Sequence, residues 1–329
     1  MCTSIFTVTK DGKYLLSRTM DFSFELDTQP VYLPREHSFE SVVDGTEYVG
    51  KYGVLGAGTE IEGLYTVADG VNEKGLSMAE LYLPGEAYYA EDSKEGAINL
   101  APHEFITWAI ERFATIDELE KELHQVHLVA KSAPLINIIT PLHWIVTDRT
   151  GRCVVIEPLT ENLTITENSV GVMTNTPNIQ WHFSNLHNYL HVRPKQYPPV
   201  KFGEYEARAF SQGTGTMGLP GGYTPPERFV RAAFFKEHIK QAENETEGVS
   251  NAYHILSTVR IPKGIVVTAD DREDFSQYVG TMCNTSLTYY YTSYENYQIA
   301  KVQMTDELLQ STEPRMFKVQ KEEAFKELN

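Results

Sequence analysis

The chain has 329 residues, of which 41% are hydrophobic and 22% charged, enough apolar material for a large core with an ordinary share of charge. Acidic residues outnumber basic ones by 45 to 28, for a formal net charge of −17. A surface of that sign repels phosphate backbones and anionic lipid, so no nucleic acid and no membrane is expected among the partners. Nor does any stretch approach the roughly 18 uninterrupted apolar residues of a membrane span.

The first residues carry the chemistry. Ile5, Thr7 and Thr9 alternate with Phe6 and Val8, Lys10-Asp11-Gly12-Lys13 has the form of an Asp-Gly hairpin turn, and Tyr14-Leu15-Leu16-Ser17 returns as a second strand. Such a hairpin brings Arg18 and Asp21 back beside Cys2. A cysteine at position 2 is by itself most often an accident of the start site. Its small side chain, however, permits removal of Met1, which would leave a thiol and a free α-amine on one carbon. In model peptides these groups have pKa values of about 8.5 and roughly 7.7–8.0, so both titrate near working pH, and the amine can activate its own side chain. Arg18 would favour the thiolate and the Asp21 carboxylate would hold the amine. The apolar stretch is broken by Thr7, Thr9 and Lys10-Asp11-Gly12, unlike a signal peptide.

The 3 cysteines form no C-x-x-C pair, so neither a disulfide framework nor a zinc site is expected. Cys153 and Cys283 lie in apolar strand-like runs and read as inert core thiols. A reducing, cytoplasmic location follows.

Further along, residues 29–34 contain Pro30 and Pro34 and read as a sheet edge or loop near the site entrance. Residues 47–55 alternate as one strand, and Gly56-Ala57-Gly58-Thr59 reads as a turn. Residues 66–69 and 76–82 are strands around a turn at 72–75. Phe105, Ala109, Ile110 and Phe113 recur at helical spacing, and Thr115 with Glu118 forms a capping box for a second helix. Strands resume over 143–147 and 153–157 around a turn at 148–151. The Pro/Gly-rich stretch 190–225 is an irregular excursion, helices are expected at 226–241 and about 249–260, and strands near 281–292 and 297–304. No composition break divides residues 1–329, which read as one domain.

Some motifs are decoys. Gly213-Thr214-Gly215-Thr216-Met217-Gly218 matches G-x-G-x-x-G by letters but follows no strand, and Pro220 with Gly221-Gly222 prevents the required helix. His103-Glu104-Phe105-Ile106-Thr107 begins like a zinc-protease helix, yet Thr107 stands where the second histidine belongs. The 10 histidines show no paired spacing, and His182 and His187, near Trp181, read as packing or loop residues. No metal is expected.

Met1-Cys2-Thr3-Ser4, residues 18–22 (Arg-Thr-Met-Asp-Phe), 69–76, 171–177 and 225–231 occur in the order seen in the choloylglycine hydrolase family, which the chain resembles. That family holds bile salt hydrolases and penicillin V acylases and belongs to the N-terminal-nucleophile hydrolases. The resemblance implies an α+β fold, a four-layer αββα sandwich of two mostly antiparallel sheets; the strand and helix pattern alone supports only a mixed α+β class. It implies hydrolysis of a small-molecule N-acyl amide without a cofactor, and a homotetramer for which 190–225 is a plausible contact surface. It also implies site roles for Cys2, Arg18, Asp21, Asn175 and Arg228, with the Asn175 side chain and the backbone N–H of Tyr82 as oxyanion donors. Without it, Asn175 would be a turn-former before proline and Arg228 a surface charge.

Bile salt hydrolases of the family carry Asn at the position of Tyr82, whereas penicillin V acylases carry Tyr. Tyr82 therefore favours a penicillin V acylase with an aromatic acyl pocket, walled by Phe22, Phe24, Tyr65 and Tyr82. Bile salt hydrolysis is the alternative within the same chemistry, and acyl homoserine lactone deacylation a third. A silent binder of amphipathic acids or a redox-sensing thiol protein stands as the alternative of another class.

Overall fold

In the computed structural model, which describes residues 1–133 and 137–329, strand β1 (Cys2–Val8) pairs antiparallel with β2 (Tyr14–Phe22), setting Cys2 opposite Met20 and Val8 opposite Tyr14. Gly12 in the connecting turn has φ +79°, a left-handed conformation that glycine adopts without steric cost. The main strands downstream are β3 (Gln29–Leu33), β4 (Val54–Ile61), β5 (Leu64–Asn72), β6 (Ser77–Tyr82), β7 (Leu142–Thr147), β8 (Cys153–Glu157), β9 (Thr164–Glu167), β10 (Val172–Met173), β11 (Glu273–Cys283), β12 (Thr288–Ser293), β13 (Ala300–Gln303) and β14 (Arg315–Met316). The longer helices are α1 (Phe105–Arg112), α2 (Ile116–Glu122), α3 (Ile179–Leu186), α4 (Pro225–His238) and α5 (Glu245–Ser257).

One antiparallel sheet runs β10-β1-β2-β11-β12-β13, the other β9-β8-β7-β6-β5-β4-β3-β14. Both have an apolar inner face, and they bury it against each other. Leu16, Met20, Tyr278, Met282 and Tyr289 of the first sheet share one core cluster with Leu55, Ala57, Val71, Ala79, Leu81 and Ile145 of the second. The intervening residues of the second sheet point the other way: Val54, Met78, Trp144 and Val146 form a separate cluster with Phe105, Trp108 and Ile110 of α1. Phe105 lies 4.4 Å from Trp144 between ring centroids, and burying a side chain of that kind contributes about 1.5–3 kcal/mol. Helices α4 and α5 cover the outer face of the first sheet. The layers are thus α, β, β, α, as the resemblance implies.

Several elements differ from their sequence reading. The 47–55 stretch breaks into a short strand, Glu47–Val49, and the start of β4. Gly56 and Gly58 are strand residues, not a turn: a Cβ on Gly56 would lie 2.0 Å from the Asp69 carbonyl, so glycine lets β4 and β5 approach. Strand β3 is no edge, because β14 pairs with it from the C-terminal end of the chain. Strand β11 begins at Glu273 and α5 at Glu245, both earlier than their patterns indicate, and α3 has no counterpart among the expected elements. Residues 190–225 hold only a short hairpin (200–202 with 205–207) and a 3-10 turn before α4.

Gly56→Ala should force β4 away from β5 and cost about 1–3 kcal/mol, read as a lower urea midpoint with an unchanged slope.

Candidate active site

Strand parity builds the first part of the site. Arg18 lies across from Ser4 in the β1–β2 ladder, so it shares a face with Cys2 and reaches it diagonally. Its Nη2 donates to Cys2 Sγ at 3.0 Å and to the Glu80 carbonyl at 3.2 Å. Its Nη1 donates to Asp69 Oδ2 at 3.0 Å and lies 3.1 Å from Tyr278 Oη, while Nε donates to the Thr19 carbonyl at 3.0 Å. Asp69 also accepts from Tyr278 Oη at 2.5 Å and Tyr289 Oη at 2.6 Å. Arg18, Asp69, Tyr278 and Tyr289 are all fully buried.

Asp21, of opposite parity, turns its side chain away from the thiol. Ser276 Oγ donates to its Oδ1 at 2.5 Å and Thr19 Oγ1 to its Oδ2 at 3.1 Å. Its backbone, not its carboxylate, meets the N-terminus: the Met1 ammonium donates to the Asp21 carbonyl at 2.6 Å and the Asp21 N–H to the Met1 carbonyl at 2.9 Å. The Cys2 nitrogen is held instead by Asn175, donating to Oδ1 at 2.8 Å.

Asn175 follows β10 and precedes a cis Thr176–Pro177 bond. Its Oδ1 also accepts from Arg228 Nη2 at 2.6 Å, and its Nδ2 donates to the Tyr82 carbonyl at 2.8 Å. An amide nitrogen carries two protons, so one remains for another acceptor. Arg228 enters from the first turn of α4, where Pro225 and Pro226 start the helix. It is completely buried, with Nη1 donating to the Cys2 carbonyl at 2.5 Å and Thr3 Oγ1 at 2.6 Å, and Nε to the Tyr223 carbonyl at 2.9 Å. Burial lowers the pKa of this guanidinium, against the opposing pull of Asp21 and Cys2.

A second layer holds the Asn175 loop. His182 Nε2 donates to the Asn175 carbonyl at 2.8 Å and His143 Nε2 to the Thr174 carbonyl at 2.9 Å. His143 Nδ1 lies 3.1 Å from Glu157 Oε1, and that carboxylate also accepts from the Ile179 N–H at the start of α3. Burial lowers the His182 pKa, favouring a neutral ring, and the ring stacks on Phe229 with centroids 4.6 Å apart. The packing role read for His182 thus becomes one of holding Asn175.

Two cavities share Phe22 and Tyr82 as lining, and the first of them reaches Cys2. One of 490 Å³ is lined by Cys2, Met20, Phe22, Glu80, Tyr82 and His103 among others. The other, of 760 Å³, has Met1, Phe22, Phe24, Tyr82, Asn175 and Arg272 on its walls. Phe22 stands edge-on to Tyr82 with ring centroids 5.0 Å apart and to Phe24 at 4.4 Å. Tyr65 packs with the core cluster on the α1 side of the second sheet and lines neither cavity. Burial pushes the Glu80 carboxyl up to about 8, with Arg18 opposing and Asp69 reinforcing, and drives His103 down to about 4. A separate cavity of 580 Å³ reaches Cys153 and Lys236, but burial raises the Cys153 thiol far above its ordinary range, the wrong direction for a nucleophile.

The structure therefore gathers Cys2, Arg18, Asn175, Arg228 and Tyr82 around one point, with Asp21 behind it and Phe22 and Phe24 on the walls. Asp69, Tyr278, Tyr289, His143, Glu157 and His182 complete the surroundings without having been read as site residues. Asp69 stands in a quoted motif, but nothing local says that its carboxylate meets a guanidinium 51 residues away.

Comparison with known proteins identifies the family and the fold. The model of the linear amide C–N hydrolases, choloylglycine hydrolase family, matches residues 2–317. A bile salt hydrolase/transferase of Clostridium perfringens is 34% identical, covering 100% of both chains. The crystal structure of the C2A mutant of conjugated bile acid hydrolase from Clostridium perfringens superposes with a TM-score of 0.92 at 35% identity, again over 100% of each chain. Penicillin V acylase from Agrobacterium tumefaciens shares the fold, with a TM-score of 0.74 at 22% identity over 94% of this chain and 88% of that one. The chain belongs to the choloylglycine hydrolase family and is a linear amide hydrolase of the N-terminal-nucleophile fold.

Asp69→Asn should leave the Arg18 charge buried without a counter-ion and lower the unfolding free energy by about 3–5 kcal/mol, measurable by urea titration.

Proposed function

We propose that this choloylglycine-family hydrolase cleaves linear N-acyl amides with Cys2 after loss of Met1, and that its preferred acyl group is phenoxyacetyl, as in penicillin V. The observation that carries the acyl preference is the aromatic pair Phe22–Tyr82, edge to face at 5.0 Å on the walls of the cavity that reaches Cys2 and of its neighbour. A flat ring entering from the thiol side stacks against such a wall more favourably than against aliphatic residues.

The chemistry follows from the neighbours of Cys2. Once Met1 is gone, the Cys2 nitrogen is a free amine beside Asn175 Oδ1, where its amide sits at 2.8 Å in the structure. The amine takes the thiol proton, and Arg18 Nη2, 3.0 Å from Sγ, favours the anionic sulfur. Sulfur attacks the amide carbon, and the oxyanion is met by the free Asn175 Nδ2 proton and the Tyr82 backbone N–H. The amine passes its proton to the leaving nitrogen, the C–N bond breaks, and a thioester remains. Water, losing a proton to the same amine, attacks the thioester; phenoxyacetate leaves and the thiol is restored. Arg228 fixes Asn175 and the Cys2 carbonyl, while Asp21, anchored by Ser276 and Thr19, holds the end of β2.

Conjugated bile salts are the second reading. It is favoured by the full-length match at 34% to a protein named bile salt hydrolase/transferase, and by a cavity of 490 Å³, larger than a phenoxy ring needs. A redox-sensing role finds less support, since Cys153 and Cys283 are both buried in the core and offer Cys2 no resolving partner. Residues 1–329 act as one domain in this reading, in a reducing compartment. Four copies associate through 190–225, where Leu190, Phe202, Tyr205, Phe210 and Met217 expose apolar side chains.

Intact mass should show Met1 removed, and Cys2→Ala should abolish amide cleavage; activity indifferent to that change would end the proposal. Asn175→Ala should lower kcat by about 10²–10³. In a panel of penicillin V with glycine- and taurine-conjugated bile salts, penicillin V should give the highest kcat/KM, and the opposite ranking would establish the bile salt reading. Light scattering should report four times the chain mass, whereas a value near 37.3 kDa would refute the tetramer.

A further inference from the structure

The wall of the 490 Å³ cavity carries an unfilled polar set. Glu80 Oε2, Tyr82 Oη, His103 Nδ1 and Thr140 Oγ1 are buried and have no hydrogen-bond partner among the described residues, and all four residues line this cavity. A buried polar atom left without a partner costs about 1–3 kcal/mol. Several on one wall are therefore hard to explain as packing. Met20, Phe22, Leu26, Leu64 and Val67 supply apolar lining elsewhere in the cavity, which gives the mixture typical of a ligand site: an apolar pocket with a few convergent polar groups.

These groups arrive from separate parts of the chain. Glu80 and Tyr82, two residues apart on β6, point to the same side of the sheet. His103 lies in the turn before α1, and Thr140 just before β7. Tyr89 secures the last of these segments, its hydroxyl donating to the Thr140 carbonyl at 3.0 Å and accepting from the Leu142 N–H at 2.7 Å. The polar wall is thus anchored by main-chain bonds.

We propose that Glu80, Tyr82, His103 and Thr140 form a polar subsite that favours an aromatic acyl group bearing a neutral hydroxyl remote from the amide over its unsubstituted counterpart, with the Glu80 carboxyl as a hydrogen-bond donor. The inference rests on reading this cavity as the acyl pocket. The titratable and charged groups facing Glu80 are Arg18 from β2, Asp69 from β5, Tyr82 on its own strand, Tyr89 from the segment that follows, and His103, Cys2 and the exposed Glu62 on the cavity lining. Arg18 is already paired with Asp69, so Glu80 has no cation of its own. With its carboxyl held up to about 8 and His103 down to about 4, both groups are mainly neutral at pH 7. A neutral hydroxyl suits such a wall, whereas a charged acyl group would find no counter-ion there.

The test compares 4-hydroxyphenylacetyl and phenylacetyl amides of one amine on the Met1-processed enzyme. Wild type should prefer the hydroxylated acyl group in kcat/KM by about tenfold. Glu80→Gln, which keeps a donor, should retain the preference, and Glu80→Leu should reduce the ratio to about one. As pH rises through about 8, Glu80 loses its donor proton, so the wild-type preference should fade while that of Glu80→Gln does not. No preference in wild type, or one that survives Glu80→Leu, overturns the subsite. Should wild type cleave neither amide, the acyl-pocket reading itself has failed. Calorimetry on Cys2→Ala with 4-hydroxyphenylacetate and phenylacetate then decides the subsite separately: tighter binding of the hydroxylated acid, lost on adding Glu80→Leu, supports it, and equal binding overturns it.

Discussion

A guanidinium with no access to water must find its partners inside the protein, and Arg18 sets that requirement at the centre of this fold. Its partners come from both sheets: Cys2 and Tyr278 from the first, Asp69 and the Glu80 carbonyl from the second. Sliding one sheet past the other would strand the charge. The same bonds that tie the layers together therefore fix the sulfur against a cation. Tyr289 extends the constraint by donating to the other oxygen of Asp69, in space kept open by Gly280, where a Cβ would lie 2.3 Å from the tyrosine hydroxyl.

Arg228 is the counterpart on the helical side. It reaches under β1 from α4 and gathers the Cys2 carbonyl, Thr3 and Asn175. Two buried guanidinium groups thus hold Cys2, Arg18 at its sulfur and Arg228 at its carbonyl; Arg18 is paired with Asp69, and the Asp21 carboxylate is occupied by Ser276 and Thr19. The Asn175 loop is secured by His143, His182 and Glu157, which leaves the amide little freedom to rotate away.

Family membership accounts for the amide chemistry, while the choice of acyl group depends on the cavity walls. Chains of one fold differ in substrate through such walls and the loops over them. Here the wall is aromatic at Phe22 and Tyr82 and polar at Glu80 and His103, a combination that neither strand pairing nor the nucleophile requires.

Much of the centre was legible from local patterns because it is built by a hairpin. Alternation around Asp11-Gly12 places Arg18 within reach of Cys2, and strand parity is a local property. The same alternation turns the Asp21 carboxylate away from the thiol, because Asp21 and Met20, the residue opposite Cys2, lie on opposite faces of β2. The motifs carried the family and its layered fold, and with them the expectation that Asn175 and Arg228 stand near Cys2, whose main chain both contact. Asp69, Glu80, His103, His143 and His182 were decided only by tertiary structure. Their partners are distant in the chain, and a carboxylate or imidazole in a strand or turn looks the same whether it meets solvent, a guanidinium or an empty cavity. The glycines at 56 and 58 mislead for a related reason: a missing Cβ serves a turn and a close strand approach equally well, and only the opposing backbone tells which. Short-range pattern settled which residues share a face, and the packing of one sheet on another settled what each face meets.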